Sequence, residues 1–232
     1  MGDSKRVVSA PSQEKENKSR LLCDHCKVSA CFQRLKEFPE NCPTKHLPAM
    51  QHAAIQEAYL GDSLDARMAV AAAEEEALYK FSLTRIEETI AFANRIGAKK
   101  IGIAFCLALA DETRVLNTIF KAHGLLTCAV ICKVGSFDKS LLGIPEDMKF
   151  FPGSHESMCN PILQAQLLNE EKTDLNVAVG LCVGHDSLFY RHSEAPVTTL
   201  IAKDRLLGHN PTVPLYTSKV FYARLFNPLG RL

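Results

Sequence analysis

No apolar stretch in this sequence is long enough to cross a lipid bilayer. The longest, residues 101–110, has about half the length of a transmembrane helix, so we interpret it as a buried strand that leads into a loop. Residues 1–20 are polar and contain no apolar segment of the kind that directs secretion. We therefore expect a cytoplasmic protein that is not inserted in a membrane.

Three enzyme motifs and an excess of charge are missing as well. There is no GxGxxG loop, no Walker A loop and no GxSxG elbow, so neither nucleotide-dependent chemistry nor a serine hydrolase has motif support. The 27 basic and 26 acidic residues are interspersed and leave a net charge of +1, which gives no basic face for nucleic acid. We expect no nucleic-acid partner.

Cysteine, by contrast, is abundant, and four of the nine cysteines lie close together near the N-terminus. They have the spacing C-x2-C-x4-C-x10-C: Cys23, Cys26, Cys31 and Cys42. Four thiolates are the ligand set of structural zinc and of [4Fe-4S] clusters, whereas disulfides need an oxidising compartment. Pro43 follows the last thiol, as in bacterial cluster-binding runs, and the spacing differs from the paired knuckles of zinc ribbons. We expect a [4Fe-4S] cluster, with zinc as the alternative.

Changes of pattern divide the chain into five segments. The polar residues 1–20 are predicted to be a disordered leader, and residues 21–48 a cysteine metal-binding module. A helical segment follows over 49–98. Short apolar runs and helical patterns alternate over 99–216, which is typical of parallel strands covered on both faces, and 217–232 form a C-terminal extension.

The alternation predicts an α/β protein with an open, mostly parallel sheet, Rossmann-like or flavodoxin-like, and with the cysteine-rich module and helices at its flank. The predicted strands are 100–106, 126–134, 176–183 and 197–203. The predicted helices are 48–59, 62–81, 84–97, 111–123 and 162–171.

Four further cysteines fall near strand ends or just before a helix: Cys106, Cys132, Cys159 and Cys182. Because the ligand crevice of an open parallel sheet lies beyond the carboxyl ends of its strands, we expect these thiols to converge there. Asn160 is a suitable N-cap and Pro161 a suitable first helical residue, so the positive helix end stabilises a Cys159 thiolate. The alternative is that the strand-end cysteines, like Cys128 in mid-strand, are small core residues.

Polar residues follow the same strands. His185 is a candidate acid, base or metal ligand, and Asp186 either orients it or caps the following segment. After the last strand come Lys203 and Arg205, which could bind an anionic substrate, although exposed charges at a strand end need no such role.

Several segments resemble one known family. They are the N-terminal Cys-x2-Cys-x4-Cys run, CNPILQAQLLN (159–169), GLCVGHDSLF (180–189), APVTTLIAKDR (195–205) and HNP (209–211). Together they resemble the DUF1847 family of uncharacterised metal-binding proteins from anaerobic bacteria and archaea, over about residues 21–216. The resemblance implies metal binding and, through the cysteines, an iron-sulfur cluster, but it implies no particular reaction.

The resulting hypothesis is a cytoplasmic iron-sulfur protein whose crevice holds the functional centre. There the second cysteine set, with His185, either binds a second metal centre or presents a reactive thiolate to a small substrate. Redox or sulfur-transfer chemistry suits such groups, with a small molecule or a redox protein as partner. The alternatives are a non-catalytic zinc protein with a structural or regulatory role, and a metal carrier.

Overall fold

A computed structural model describes residues 23–33 and 37–228 of the chain. The predicted leader, residues 1–20, lies outside these ranges. The chain divides into two compact units, the first ending at Gly61 and the second beginning at Asp62. The first unit contains two short 3-10 helices, Cys23–His25 and Pro43–His46, together with α1 (Ala30–Gln33) and α2 (Ala49–Ala58).

The second unit is built on a four-stranded sheet in which every neighbouring pair of strands is parallel. The strands are β1 (Lys100–Phe105), β2 (Leu126–Ile131), β3 (Leu175–Val179) and β4 (Val197–Ile201). Their spatial order is β2-β1-β3-β4, so the sheet is wound in both directions from β1. This order confirms the predicted α/β class with an open parallel sheet.

Helices cover both faces of the sheet. The second unit contains α3 (Leu64–Tyr79), α4 (Arg85–Arg95), α5 (Ala110–Ala122), α6 (Pro161–Glu170), α7 (His185–His192) and α8 (Val213–Tyr216). One apolar cluster joins α3, α4 and α5 to the sheet and includes the fully buried Ile103 and Phe120. The other joins α6 and α7 to the opposite face and includes Leu168 and Phe189. Because both faces are covered, the strands consist of nearly continuous apolar runs.

Side chains cap α4 and α6, and the second of these two caps was predicted from sequence. Thr84 caps α4 in a reciprocal capping box with Glu87. Asn160 caps α6, where its side chain accepts a hydrogen bond from the Leu163 N–H at 3.0 Å, and Pro161 is the first helical residue.

The carboxyl end of β3 differs from the prediction. The predicted strand ran from 176 to 183, but β3 ends at Val179 because Gly180 takes a φ of +62°, which a strand cannot continue. A side chain at Gly180 would also lie 2.1 Å from a methyl carbon of Leu109. The residues released from the strand form a turn and then α7, which was not predicted. No helix among the described residues combines the length and the apolar character that crossing a membrane requires.

Candidate active site at the carboxyl edge of the sheet

The topology of the sheet places a crevice outside the ends of β1 and β3. The chain leaves β1 toward β2 and later returns past β1 to form β3, so the direction of winding reverses between these two neighbours. Cys106 directly follows β1 and Cys132 directly follows β2. Cys182 lies three residues after β3, and Lys203 lies two residues after β4. All four strands therefore deliver a thiol or an ammonium group to the same edge.

Cys159 reaches this edge through a long loop between β2 and α6. The N–H of Asn160 donates to the carbonyl oxygen of Cys132 at 2.7 Å, which places Cys159 beside the end of β2. The loop is closed by an antiparallel bridge between Asp138 and Ser157. Inside it the nearly buried ammonium of Lys149 lies 2.9 Å from the Asp138 carboxylate. The position of Cys159 thus depends on contacts between residues that are distant in sequence, such as Asp138 with Ser157 and Cys132 with Asn160.

Cys132 is the central thiol of the group. It is 3% exposed, and its sulfur accepts a hydrogen bond from the N–H of Leu107 at 3.4 Å. Hydrogen bonds with Cys106 and Cys159, followed by burial, raise the pKa of Cys132. Because one thiol has one proton, Cys132 can donate to only one of its neighbours at a time. The group is therefore a protonated thiol between two cysteines that favour the thiolate.

The pKa of Cys159 is lowered to about 4. The hydrogen bond with Cys132 has the largest effect, followed by one with His185, and together they outweigh half burial. Conversely, the hydrogen bond with Cys159 raises the pKa of His185. His185 is the first residue of α7, and it lies beside Cys159 because the turn after β3 directs it there. The two side chains favour a thiolate and an imidazolium ion in contact.

Cys106 is the second cysteine with an acidic thiol. Its pKa is lowered to about 5 by the hydrogen bond with Cys132 and, against the effect of burial, by the N–H of Ala108 and by the contact with Lys203 and its charge. The Lys203 ammonium is shielded from solvent, and among the described residues it has no hydrogen-bond acceptor at good geometry.

Cys182 contacts a second cation. Nη2 of Arg205 lies 3.2 Å from the sulfur of Cys182, and this contact raises the pKa of Arg205. The charges of Cys106 and Cys159 act on the same guanidinium in the same direction. Cys106, Cys132 and Cys159 thus interact with one another, and Cys182 is connected to them through the exposed Arg205. Within the described residues, no three His, Cys, Asp or Glu side chains at this edge are arranged to hold a metal ion.

Asp186 is the second residue of α7, whose N-cap is Gly184. Its Oδ1 accepts hydrogen bonds from the N–H groups of Gly184 at 3.0 Å and Ser187 at 2.8 Å, so it fixes the turn that begins α7. No hydrogen bond joins it to His185 in the described part of the chain. Its charge still acts weakly on His185 in the direction of a higher pKa.

Two residues at the crevice were not predicted from sequence. Lys133 contributes a positive charge beside Cys159, and its ammonium donates to the carbonyl oxygen of Ser157 at 2.6 Å. Gln164 is fully buried on α6 and donates to the carbonyl oxygens of Val130 at 2.7 Å and Phe105 at 3.3 Å, so it ties together the ends of β1 and β2. Gln164 could have been predicted from sequence, because it is an amide on the apolar face of α6 and a buried amide needs hydrogen-bond partners.

A cavity lies at the opposite edge of the sheet. It has a volume of about 670 Å³ and is lined by segments that precede β1, β3 and β4, namely residues 96–98, 172–174 and 194–196. Its lining contains no thiol and no imidazole. The Asp174 carboxylate there already accepts from the N–H groups of Lys99 and Lys100. We therefore place the candidate active site at the carboxyl edge.

The N-terminal cysteines form a separate group in the first unit. Cys23, Cys26, Cys31 and Cys42 line one pocket of about 160 Å³. Although partial desolvation opposes it, the side chain and N–H of Thr44 lower the pKa of Cys42. The thiols match the ligand chemistry of zinc and of iron-sulfur clusters. Within residues 23–33 and 37–228, however, no three His, Cys, Asp or Glu side chains are arranged to hold a metal ion, so these sulfurs do not converge on one centre.

The fold and the crevice define a doubly wound α/β domain with a cysteine-lined carboxyl edge. Residues 42–200 match the family described as protein of unknown function, DUF1847. The chain belongs to this family, as the sequence segments predicted. It is also 46% identical over 151 residues to uncharacterized protein MJ0455 of Methanocaldococcus jannaschii, an alignment that covers 65% of this chain and 76% of the relative.

The matched range includes the second cysteine set and His185. It begins at Cys42, so Cys23, Cys26 and Cys31 lie before it, and it ends before Lys203. The family match thus covers most of the crevice but only the last of the four N-terminal cysteines.

Proposed function

We propose that the crevice performs thiol-disulfide redox chemistry on a small sulfur compound, with Cys159 as the nucleophile and Cys132 as the resolving thiol. The observation that carries this proposal is the position of the Cys132 thiol between Cys159 and Cys106, both of which have lowered pKa values. Thiolates are the form of cysteine that attacks sulfur electrophiles. Two adjacent thiols can supply the two electrons that reduce a disulfide.

The reaction begins when the Cys159 thiolate attacks one sulfur of a small disulfide RSSR. A mixed disulfide forms, the S–S bond of the substrate breaks, and one thiolate RS⁻ leaves. His185, in contact with Cys159, is a proton source for this leaving group. Formation of the mixed disulfide also removes the negative charge of Cys159, which had kept the neighbouring Cys132 protonated.

Cys132 completes the reaction. It loses its proton and attacks the Cys159 sulfur, which releases the second RS group and leaves a Cys132–Cys159 disulfide. In sum, one thiolate and one thiol of the protein reduce RSSR to RS⁻ and RSH, and the protein has lost two electrons. A small dithiol reductant then restores both cysteines.

The test is an anaerobic titration of the full chain with hydroxyethyl disulfide. We expect two equivalents of 2-mercaptoethanol per chain, and peptide mapping should find one new disulfide, between Cys132 and Cys159. Cys128, whose pKa is raised by burial in β2, serves as an internal control that should remain a free thiol. A product in which other cysteines react first, or in which no protein disulfide forms, would exclude this assignment.

We infer in addition that the N-terminal quartet binds a metal centre, a [4Fe-4S] cluster in preference to zinc. The shared pocket and the four soft thiol donors support this, together with the Cys42-Pro43 pair. Binding requires the four sulfurs to converge on one centre, which no three His, Cys, Asp or Glu side chains of the described residues do. A cluster held by four thiolates would supply single-electron transfer, and the protein would then be an iron-sulfur-dependent oxidoreductase. With zinc, the module would be structural or regulatory.

A further inference from the structure

The cationic side chains around the crevice outnumber the cysteines that favour the thiolate. Four basic groups lie around Cys106, Cys159 and Cys182: Lys133, His185, Lys203 and Arg205. The acidic groups nearby are already engaged. Asp186 fixes the turn before α7, and Asp204 accepts from the N–H groups of Leu206 and Leu207, both at 3.0 Å.

Lys203 is the least satisfied of these cations. Its ammonium is shielded from solvent and, within the described residues, no acceptor meets it at hydrogen-bond geometry. An ammonium group removed from water without an acceptor is costly, so such a group is normally paired with an anion. The Cys106 thiolate contacts this ammonium and attracts it by charge, but a single sulfur does not satisfy its three donors.

Arg205 lies on the exposed side of the same crevice. One of its nitrogens contacts Cys182. Since a guanidinium has five N–H donors and no other described residue accepts from it, the remaining donors are available to an incoming oxyanion. Its planar arrangement of donors suits the two oxygens of a carboxylate or phosphate group.

We infer that Lys203 and Arg205 bind an oxyanion group of the substrate, so that the sulfur compound reduced in the crevice is a small anion. This inference deepens the proposed function and rests on it for the reaction, but it can be tested separately. The oxyanion lies between the ammonium and the guanidinium, which holds the sulfur of the substrate at Cys159. A neutral molecule of the same size lacks this attachment.

The test compares two alkylating reagents that differ in charge. Iodoacetate and iodoacetamide have the same reacting carbon and leaving group, and peptide mass spectrometry gives the rate of each at Cys159. We expect the iodoacetate to iodoacetamide ratio at Cys159 to exceed that of free 2-mercaptoethanol by about tenfold, because a nearby cation attracts the anionic reagent. Acetate and inorganic phosphate, added separately as competitors, show whether the site prefers a carboxylate or a phosphate.

The variants Lys203→Met and Arg205→Met should each return the ratio toward that of the free thiol. Lys121→Met is the matched control: it removes the same charge from an exposed lysine in the last turn of α5, which lies toward the opposite edge of the sheet. It should leave the ratio unchanged. Arg205 is itself exposed, so its variant remains informative if Lys203→Met does not fold.

The two proposals fail in different ways. A ratio equal to that of the free thiol, or one that neither Lys203→Met nor Arg205→Met changes, overturns the oxyanion site even if the Cys132–Cys159 disulfide forms. A raised ratio that both variants lower supports the oxyanion site even if hydroxyethyl disulfide is not reduced.

Discussion

Replacing Cys159 by serine is expected to abolish reduction of a small disulfide, with a loss of about a thousandfold or more in rate. Serine has nearly the same shape, but its hydroxyl is not ionised at neutral pH and does not attack sulfur, so the first step is lost. The measurement is release of 2-mercaptoethanol from hydroxyethyl disulfide with a small dithiol as reductant. Unchanged turnover in Cys159→Ser would show that the nucleophile lies elsewhere.

Two further variants separate the roles of the cysteines. In the titration without added reductant, Cys132→Ser should react once and then stop, so that mass spectrometry finds half of the reagent attached to Cys159. Cys128→Ser is the control, because Cys128 lies within β2 and its thiol has a raised pKa. Its turnover should stay within about twofold of the unmodified protein.

The double variant Cys23→Ser/Cys26→Ser is expected to lose all of the metal bound by the first unit. Serine oxygens are poor ligands for iron-sulfur clusters, and two remaining thiols cannot hold one. Protein purified without oxygen should be brown and contain about four iron and four sulfide ions per chain, whereas the double variant should be colourless.

The control for this experiment is Cys182→Ser, which changes a thiol of the crevice and should retain iron and sulfide. One zinc ion per chain in a colourless protein, lost in the double variant, would favour the structural or regulatory zinc module. Metal that is retained in full by Cys23→Ser/Cys26→Ser would contradict binding by the quartet altogether.

The sheet and its edge could be predicted because their signals are local. Short apolar runs of strand length, each followed by a helical pattern, are sufficient to indicate buried parallel strands. In such a sheet the carboxyl ends share one edge, so the placement of Cys106 and Cys132 followed from the strand positions alone. The cap at Asn160 could be predicted for the same reason, because the pattern of an N-cap residue followed by proline spans only a few residues.

The contacts within the crevice could not be predicted in the same way. Cys159 meets Cys132 only because the loop after β2 returns to the sheet, and that return depends on the pairing of Asp138 with Lys149 and Ser157. The contact between Cys159 and His185 also depends on where β3 ends. The positive φ of Gly180 ends that strand early. A single glycine within an apolar run is also compatible with a continuous or bulged strand, so the sequence did not predict the turn.

The N-terminal module shows a different limit. Cysteine spacing identifies a ligand set, and the four thiols do line one pocket, but spacing carries no information about how far the sulfurs are from a common centre. That distance depends on the path of the backbone between the cysteines, for which local sequence rules give no unique conformation.

The most direct test of a reactive thiolate in the crevice is the rate at which iodoacetamide alkylates Cys159 between about pH 5.5 and 7.5. With a pKa of about 4, Cys159 is already ionised throughout, so its rate should change by less than about twofold. An ordinary cysteine, with a pKa of about 8.5, reacts about a hundredfold faster at the upper pH. His185→Gln should raise the pKa of Cys159 and restore part of this dependence. A rate at Cys159 that rises about tenfold with each pH unit, as for an ordinary thiol, would contradict the proposed function.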